Sequence, residues 1–198
     1  MSAAKKQITR EDILPLEKYA AERKERRARI TQMKKNRRVE VGPYATFYFE
    51  NYDTMFQQIH EMLYIEKGGE EQIADELSAY NPLIPQGKDL VCTLMFEIDD
   101  PIRRNNVLRR LAHVEEHVYV QVGDEKIMAD AEDDVERTTE DGKTSSVHFL
   151  HFRFTPEQIA KFKDLSQNVI LGIGHENYGH MALLAGPTRE ALAADFSA

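Results

Sequence analysis

Val118-Tyr-Val-Gln-Val-Gly-Asp-Glu-Lys-Ile-Met-Ala129 decides the fold. Val118, Val120 and Val122 recur at every second position, the period of a strand with one buried face. Gly123-Asp124 interrupts the run and residues 126–129 return. A glycine turn between two short runs reads as a β-hairpin, and a hairpin is an antiparallel pair.

Outward from this hairpin, residues 89–98 and 144–154 read as strands, as do 169–174 and 181–184. The helices among them are short. Asp100-Pro101 opens one that runs to about Ala112, with proline in its first turn. Thr155-Pro-Glu-Gln158 is a capping box for a helix through Phe162, and residues 188–196 form a closing helix. Residues 130–142 are acidic and read as a solvated loop. No regular strand–helix–strand alternation links the strands, so the sheet is mainly antiparallel and the class is α+β.

The chain before Pro85 differs in character. Thr9-Arg-Glu-Asp12 reads as a helix start, and Ile13, Leu16, Tyr19 and Ala20 form one apolar stripe. Beyond Ala20 the stripe gives way to Arg23, Arg26, Arg27, Ile30 and Lys34. Val39-Glu-Val41, then Gly42-Pro43, then residues 45–49 read as strand, turn and strand. A helix from about Asp53 buries Phe56, Ile59 and Leu63 and stops at Gly68-Gly69. Residues 70–80 form another, ended by Asn81-Pro82, and 82–85 make a rigid connector. The expectation is a helical N-terminal half, 1–85, packed on a mainly antiparallel sheet with peripheral helices, 86–198. The helical half has only narrow apolar stripes, so the two parts are expected to share one core.

Charge is distributed unevenly. Thirteen of the 26 basic residues lie at or before Arg38, opposed by five acids, so this arm carries +8. The whole chain carries −8, which leaves −16 on the remainder. A basic arm on an acidic body implies an anionic partner or neutralisation against the body itself. Arg23, Arg26, Arg27 and Lys34 are the candidate partner-binding residues, facing acidic surface of this chain, a second copy or another protein. Nucleic acid is the weaker reading, because no aromatic residue interleaves the arginines after Tyr19 and an acidic body repels a polyanion.

The single cysteine, Cys92, lies in an apolar strand, so an internal disulfide and a multi-cysteine zinc or iron–sulfur site are excluded. No 18-residue apolar run exists to span a membrane, and the charged N-terminus lacks a secretory signal, so the expected location is cytoplasmic. Glycine-rich phosphate loops, Gly-x-Ser-x-Gly, His-Glu-x-x-His and Cys-x-x-Cys are all absent.

Histidines and acids remain as candidates for chemistry. His148 and His151 lie on one strand, where residues three apart face opposite sides unless a bulge intervenes. His175 and His180 flank an expected hairpin loop. Glu50, Glu61 and Glu66 are candidate oxygen ligands. His148, His151, His175 and His180 with Glu61 would suit iron, manganese or zinc. The plain alternative is local hydrogen bonding by each. Glu50 and Asn51 precede a helix on which Thr54, Gln58 and Glu61 fall at i, i+4 and i+7, a polar face that lines a pocket, accepts hydrogen bonds from the basic helix or meets solvent.

Several strings carry a resemblance. They are Lys35-Asn-Arg-Arg-Val-Glu-Val-Gly-Pro43, Phe47-Tyr-Phe-Glu-Asn51 with Thr54, Glu61-Met62 and Ile65-Glu-Lys-Gly-Gly-Glu70. Tyr80-Asn-Pro-Leu-Ile-Pro85 and Lys143-Thr-Ser-Ser-Val-His-Phe-Leu-His151 complete the set. Over nearly its whole length the chain resembles the bacterial domain-of-unknown-function family 3501. That family has no established activity. Its members tend to be encoded near a rubrerythrin-like protein and an iron–sulfur oxidoreductase related to heterodisulfide reductases. The resemblance therefore implies a role around peroxide, iron or electron transfer, with any redox centre on a partner or at a His/Glu metal site. The leading expectation is a non-catalytic accessory protein of a cytoplasmic redox system. Its rivals are a His/Glu metal-dependent enzyme and an RNA- or nucleotide-binding module.

Overall fold

A computed structural model of the chain describes residues 5–132 and 137–197. Two antiparallel sheets form the centre of the fold. The first holds β1 (Arg38–Val41), β2 (Ala45–Phe49), β3 (Asp89–Phe96), β6 (Asp130–Ala131) and β7 (Val147–Arg153), in the order β1-β2-β3-β7-β6. The second holds β4 (Val118–Val122), β5 (Glu125–Met128), β8 (Val169–His175) and β9 (Tyr178–Leu183), in the order β5-β4-β8-β9. Around them lie α1 (Leu16–Lys35), α2 (Tyr52–Glu66), α3 (Gly69–Tyr80), α4 (Pro101–Leu108), α5 (Pro156–Lys163) and α6 (Gly186–Ala193). The α+β class holds.

The β4–β5 hairpin forms as the alternation requires. Val122 pairs with Glu125, and Gly123 takes φ 58°, a value that side chains resist and hairpin turns need. The inward valines of β4 join one main core between the sheets, with Val41, Phe47, Leu94, Leu150 and Phe152 facing them. Phe154, Phe162, Leu192 and Phe196 close that core, with ring centroids 4.9–5.9 Å apart among Phe154, Phe162 and Phe196.

A second cluster joins Ile8, Ile13, Met55, Ile59, Ile73, Leu83 and Ile84 to Val91 of β3 and, less buried, Phe149 of β7. Val91 alternates with Leu90 and Cys92 of the main core, so the helical region packs on the opposite face of the first sheet. Meanwhile β1 and β2, from before Pro85, are hydrogen-bonded into the same sheet as β3 and β7.

Several boundaries differ from expectation for local reasons. The Thr9–Asp12 start makes one 3₁₀ turn (Arg10–Asp12), with Thr9 and Asp12 capping each other. Pro15 then caps α1, because proline cannot continue a preceding helical hydrogen-bond ladder. The β8–β9 connection is tighter than expected: His175 pairs with Tyr178, leaving only Glu176-Asn177 in the turn. His175 and His180 are therefore strand residues. The helix expected to reach Ala112 ends at Leu108. Of the acidic loop, Asp130–Ala131 pairs with β7, and Thr138 bridges Thr144. Residues 133–136 of that loop lie outside the described residues. Among the described residues no helix is long and apolar enough to cross a membrane.

Candidate functional site

The basic helix α1 has twenty residues and buries only Tyr19 and Ile30. It runs antiparallel along α2 and is held by polar contacts at intervals. The Tyr19 hydroxyl donates to Glu61 Oε1 at 2.5 Å and accepts from Gln57 Nε2. Arg23 grips both oxygens of Glu61, at 2.9 and 2.8 Å, and lies 4.6 Å over the Tyr64 ring. Arg26 pairs with Glu22 at 2.7 Å and lies 5.7 Å over Phe56. Arg29 reaches Asp53 at 3.5 Å.

The electrostatics follow this geometry. Arg23 holds the Glu61 carboxyl below its ordinary range. Burial, reinforced by that carboxylate, pushes the Tyr19 phenol well above its own. Glu61 is thus fully engaged as the seat of α1.

Of the four expected partner-binding residues, Arg23 and Arg26 turn toward α2, whereas Arg27 is exposed and Lys34 half-buried. At 3.6 residues per turn, Lys24, Arg27, Lys34 and Lys35 share one flank of α1. None of these four forms an ion pair among the described residues.

The expected polar pocket resolves differently. Asn51 caps α2 by accepting from Thr54 N–H at 3.0 Å. Glu50 is buried, and it accepts from Thr54 Oγ1 at 2.7 Å and Thr93 Oγ1 at 3.0 Å. Gln58 turns to Tyr80 on α3, 3.4 Å from its hydroxyl, and its neighbour Gln57 joins Glu61 instead. The i+4 spacing of Gln57 and Glu61 was the available signal for that pair. Glu66 accepts from Gln72 at the surface.

The candidate metal histidines do not converge. His148 faces the main core, fully buried beside Leu150 and Phe152, while His151 faces the other side of β7. Regular strand alternation separates them, with no bulge to bring them together. His151 Nε2 meets Glu132 at 2.7 Å, in a cleft with Asp89, Asp130 and Arg153. His175 donates from Nε2 to Ala112 O at 3.2 Å and accepts Asn177 N–H at Nδ1 at 3.1 Å, so both nitrogens are spent. His180 packs on Tyr178, with ring centroids 4.6 Å apart. Among the described residues no three His, Cys, Asp or Glu side chains are grouped to hold a metal ion. His148, His151, His175, His180 and Glu61 therefore do not form one ligand sphere. Cys92 is buried, and burial with the nearby Glu50 charge pushes its thiol well above the ordinary range.

Two buried histidine arrangements were not anticipated. His60 on α2 donates from Nδ1 to Phe56 O at 2.7 Å and accepts Leu14 N–H at Nε2 at 3.0 Å. It lines a cleft of about 400 Å³ with Ile13, Leu14, Tyr19, Leu63 and Ile73. His148 places Nε2 3.0 Å from Ser145 O and leaves Nδ1 facing Glu115 Oε2 at 3.6 Å, and among the described residues neither of these two atoms finds a hydrogen bond.

Two comparisons place the chain. The family model for proteins of unknown function, DUF3501, matches residues 7–196. The chain belongs to that family. It is also similar to a crystal structure described as a novel protein of unknown function from Burkholderia pseudomallei. The two share 38% sequence identity with a TM-score of 0.88, over 96% of this chain and 100% of that one. None of the curated proteins matches this DUF3501 member. Both relationships extend over nearly the whole chain, and neither names a reaction.

Proposed function

We propose that this DUF3501 chain is a cytoplasmic, non-catalytic accessory protein that docks an acidic protein partner through the outward flank of α1. The carrying observation is the division of labour along that helix. Arg23, Arg26 and Arg29 are spent on Glu61, Glu22 and Asp53, while Lys24, Arg27, Lys34 and Lys35 are left together on one flank. The remainder of the chain carries −16, so an acidic partner is repelled elsewhere and steered to this flank. The resemblance described above suggests the partner class: a rubrerythrin-like protein or an iron–sulfur oxidoreductase related to heterodisulfide reductases.

Each exposed pair contributes only about 0–1 kcal/mol, so binding depends on several acting together and weakens with salt. The test is calorimetric titration of the purified chain with one protein of each class from the same genome, at low and high ionic strength. Salt-sensitive binding to one of them is expected. Replacing Lys24, Arg27, Lys34 and Lys35 together by glutamine should weaken it at least tenfold while thermal stability stays unchanged. No binding to either protein, or equal binding by the variant, would overturn the proposal.

A further inference from the structure

The second sheet ends in a strand unlike the other sheet edges. Leu184 N–H bonds to Val169 O, which sets the register of β9 on β8. Residues 178, 180 and 182 therefore direct their backbone groups at β8, and Gly179, Met181 and Leu183 direct theirs away. Among the described residues nothing accepts or donates to those outward groups. All three residues are exposed, Met181 at 65% and Leu183 at 59%.

Exposed edges are normally defended by charge, proline, a bulge or brevity. The β1 edge carries Arg38 and Glu40, the β5 edge carries Glu125 and Lys126, and β6 is two residues long. Tyr178-Gly-His-Met-Ala-Leu183 has no acid, lysine, arginine or proline, and its pairing with β8 is unbroken.

We infer that β9 is the interface of a two-fold symmetric dimer, in which it pairs antiparallel with β9 of a second copy, Met181 opposite Met181. The occupant follows from self-complementarity. A two-fold axis at Met181 brings Leu183 of each copy opposite Gly179 of the other. The position above Gly179 where a side chain would begin is open, with nothing within 4 Å. An exposed leucine thus meets a vacant glycine on both sides of the axis. Every free N–H of Gly179, Met181 and Leu183 gains a carbonyl. The contact closes on itself, as an isologous interface does, and joins two four-stranded sheets edge to edge. It uses no residue of the α1 flank and stands independently of the acidic partner.

The test uses the full chain. Light scattering on a sizing column should give about twice the 22.8 kDa chain mass. Met181→Lys puts like charges face to face at the axis and should give monomer. Met181→Pro removes one outward N–H without touching the β8 ladder, so it should also give monomer with native circular dichroism. Met181→Cys should cross-link under mild oxidation, because paired Cα atoms at such a position lie about 5.5 Å apart, within disulfide reach. Cys92 is buried and does not compete. The control Leu165→Cys, exposed and remote in sequence, should not cross-link. A monomeric wild type, a dimer that survives both the lysine and the proline change, or equal cross-linking of the control would each overturn the dimer. So would slow hydrogen exchange at Gly179, Met181 and Leu183 that arises only when another protein is added.

Discussion

His60 has both ring nitrogens committed to the backbone, and this determines how it responds to acid. Protonation would place a hydrogen on Nε2, which accepts from Leu14 N–H. Burial already pushes His60 below its ordinary value of 6.5, and it pushes His148 the same way against the pull of Glu115. For a histidine lowered in the folded state, the unfolded chain takes up the proton first. Stability is therefore complete above the ordinary value and is lost as pH falls below it. The melting temperature is expected to be level from pH 8 to about 7 and to decline below about 6.5. That decline precedes the titration of Glu61 and Glu97, whose values lie below the ordinary 4.5 because Arg23 and Thr46 donate to them. Substituting His60→Gln and His148→Gln together should flatten the profile between pH 6.5 and 5, whatever its absolute level. A wild-type melting temperature constant across that interval would refute this account. The role of His60 was not legible in the sequence, because a histidine inside an amphipathic helix gives no sign of which backbone groups will reach it.

At the scale of elements, the fixed points are buried arginines. Arg37 donates to Phe49 O and Glu50 O, each at 2.9 Å, and pairs with Asp195 just beyond α6. One side chain thereby ties the end of β2 and the start of α2 to the C-terminal helix. Burial outweighs the guanidinium and holds the Asp195 carboxyl above its ordinary value. Such a pair adds little net stability, but removing one partner strands the other. Asp195→Ala should cost roughly 3–5 kcal/mol in urea unfolding, and the double change Arg37→Met with Asp195→Leu should cost less. A double variant as unstable as the sum of its single changes would contradict this. Arg189 works alike, donating to Phe162 O, Gln167 O and Asp164 O around the end of α5. The elements themselves were largely readable from local signals: alternating valines for β4, the Thr155 box for α5, Asp100-Pro101 for α4. Partners far apart in sequence were not. Arg37 and Asp195 are separated by 158 positions, and no local period links them. The basic helix misled for the same reason: sequence displays all its charges alike, while packing on α2 selects which ones are spent.

At the scale of the whole molecule, the connector at 82–85 suggests a boundary that the hydrogen bonds cross repeatedly. Strand β2 lies between β1 and β3, with Ala45–Phe49 paired to Cys92–Phe96. Lys6 donates to Gln86 O, Gln86 returns a hydrogen bond to Lys6 O at 2.8 Å, and Arg37 reaches Asp195. The second apolar cluster needs Val91 and Phe149 from the later residues as its floor. A fragment of residues 86–198 would expose Val91 and Phe149 beside a β3 edge that has lost β2, the arrangement that favours aggregation. The intact chain is therefore expected to unfold in one transition, with tryptophan-free probes such as far-ultraviolet dichroism and tyrosine fluorescence coinciding. Limited proteolysis in the connector should leave the two pieces associated under native conditions and separable only in denaturant. Recovery of a monomeric, cooperatively folded 86–198 fragment would mean that the helical region is an independent unit resting on a self-sufficient sheet. The shared sheet predicts that this fragment fails to fold, because deleting β1 and β2 removes the wall against which Leu94 and Phe96 are packed.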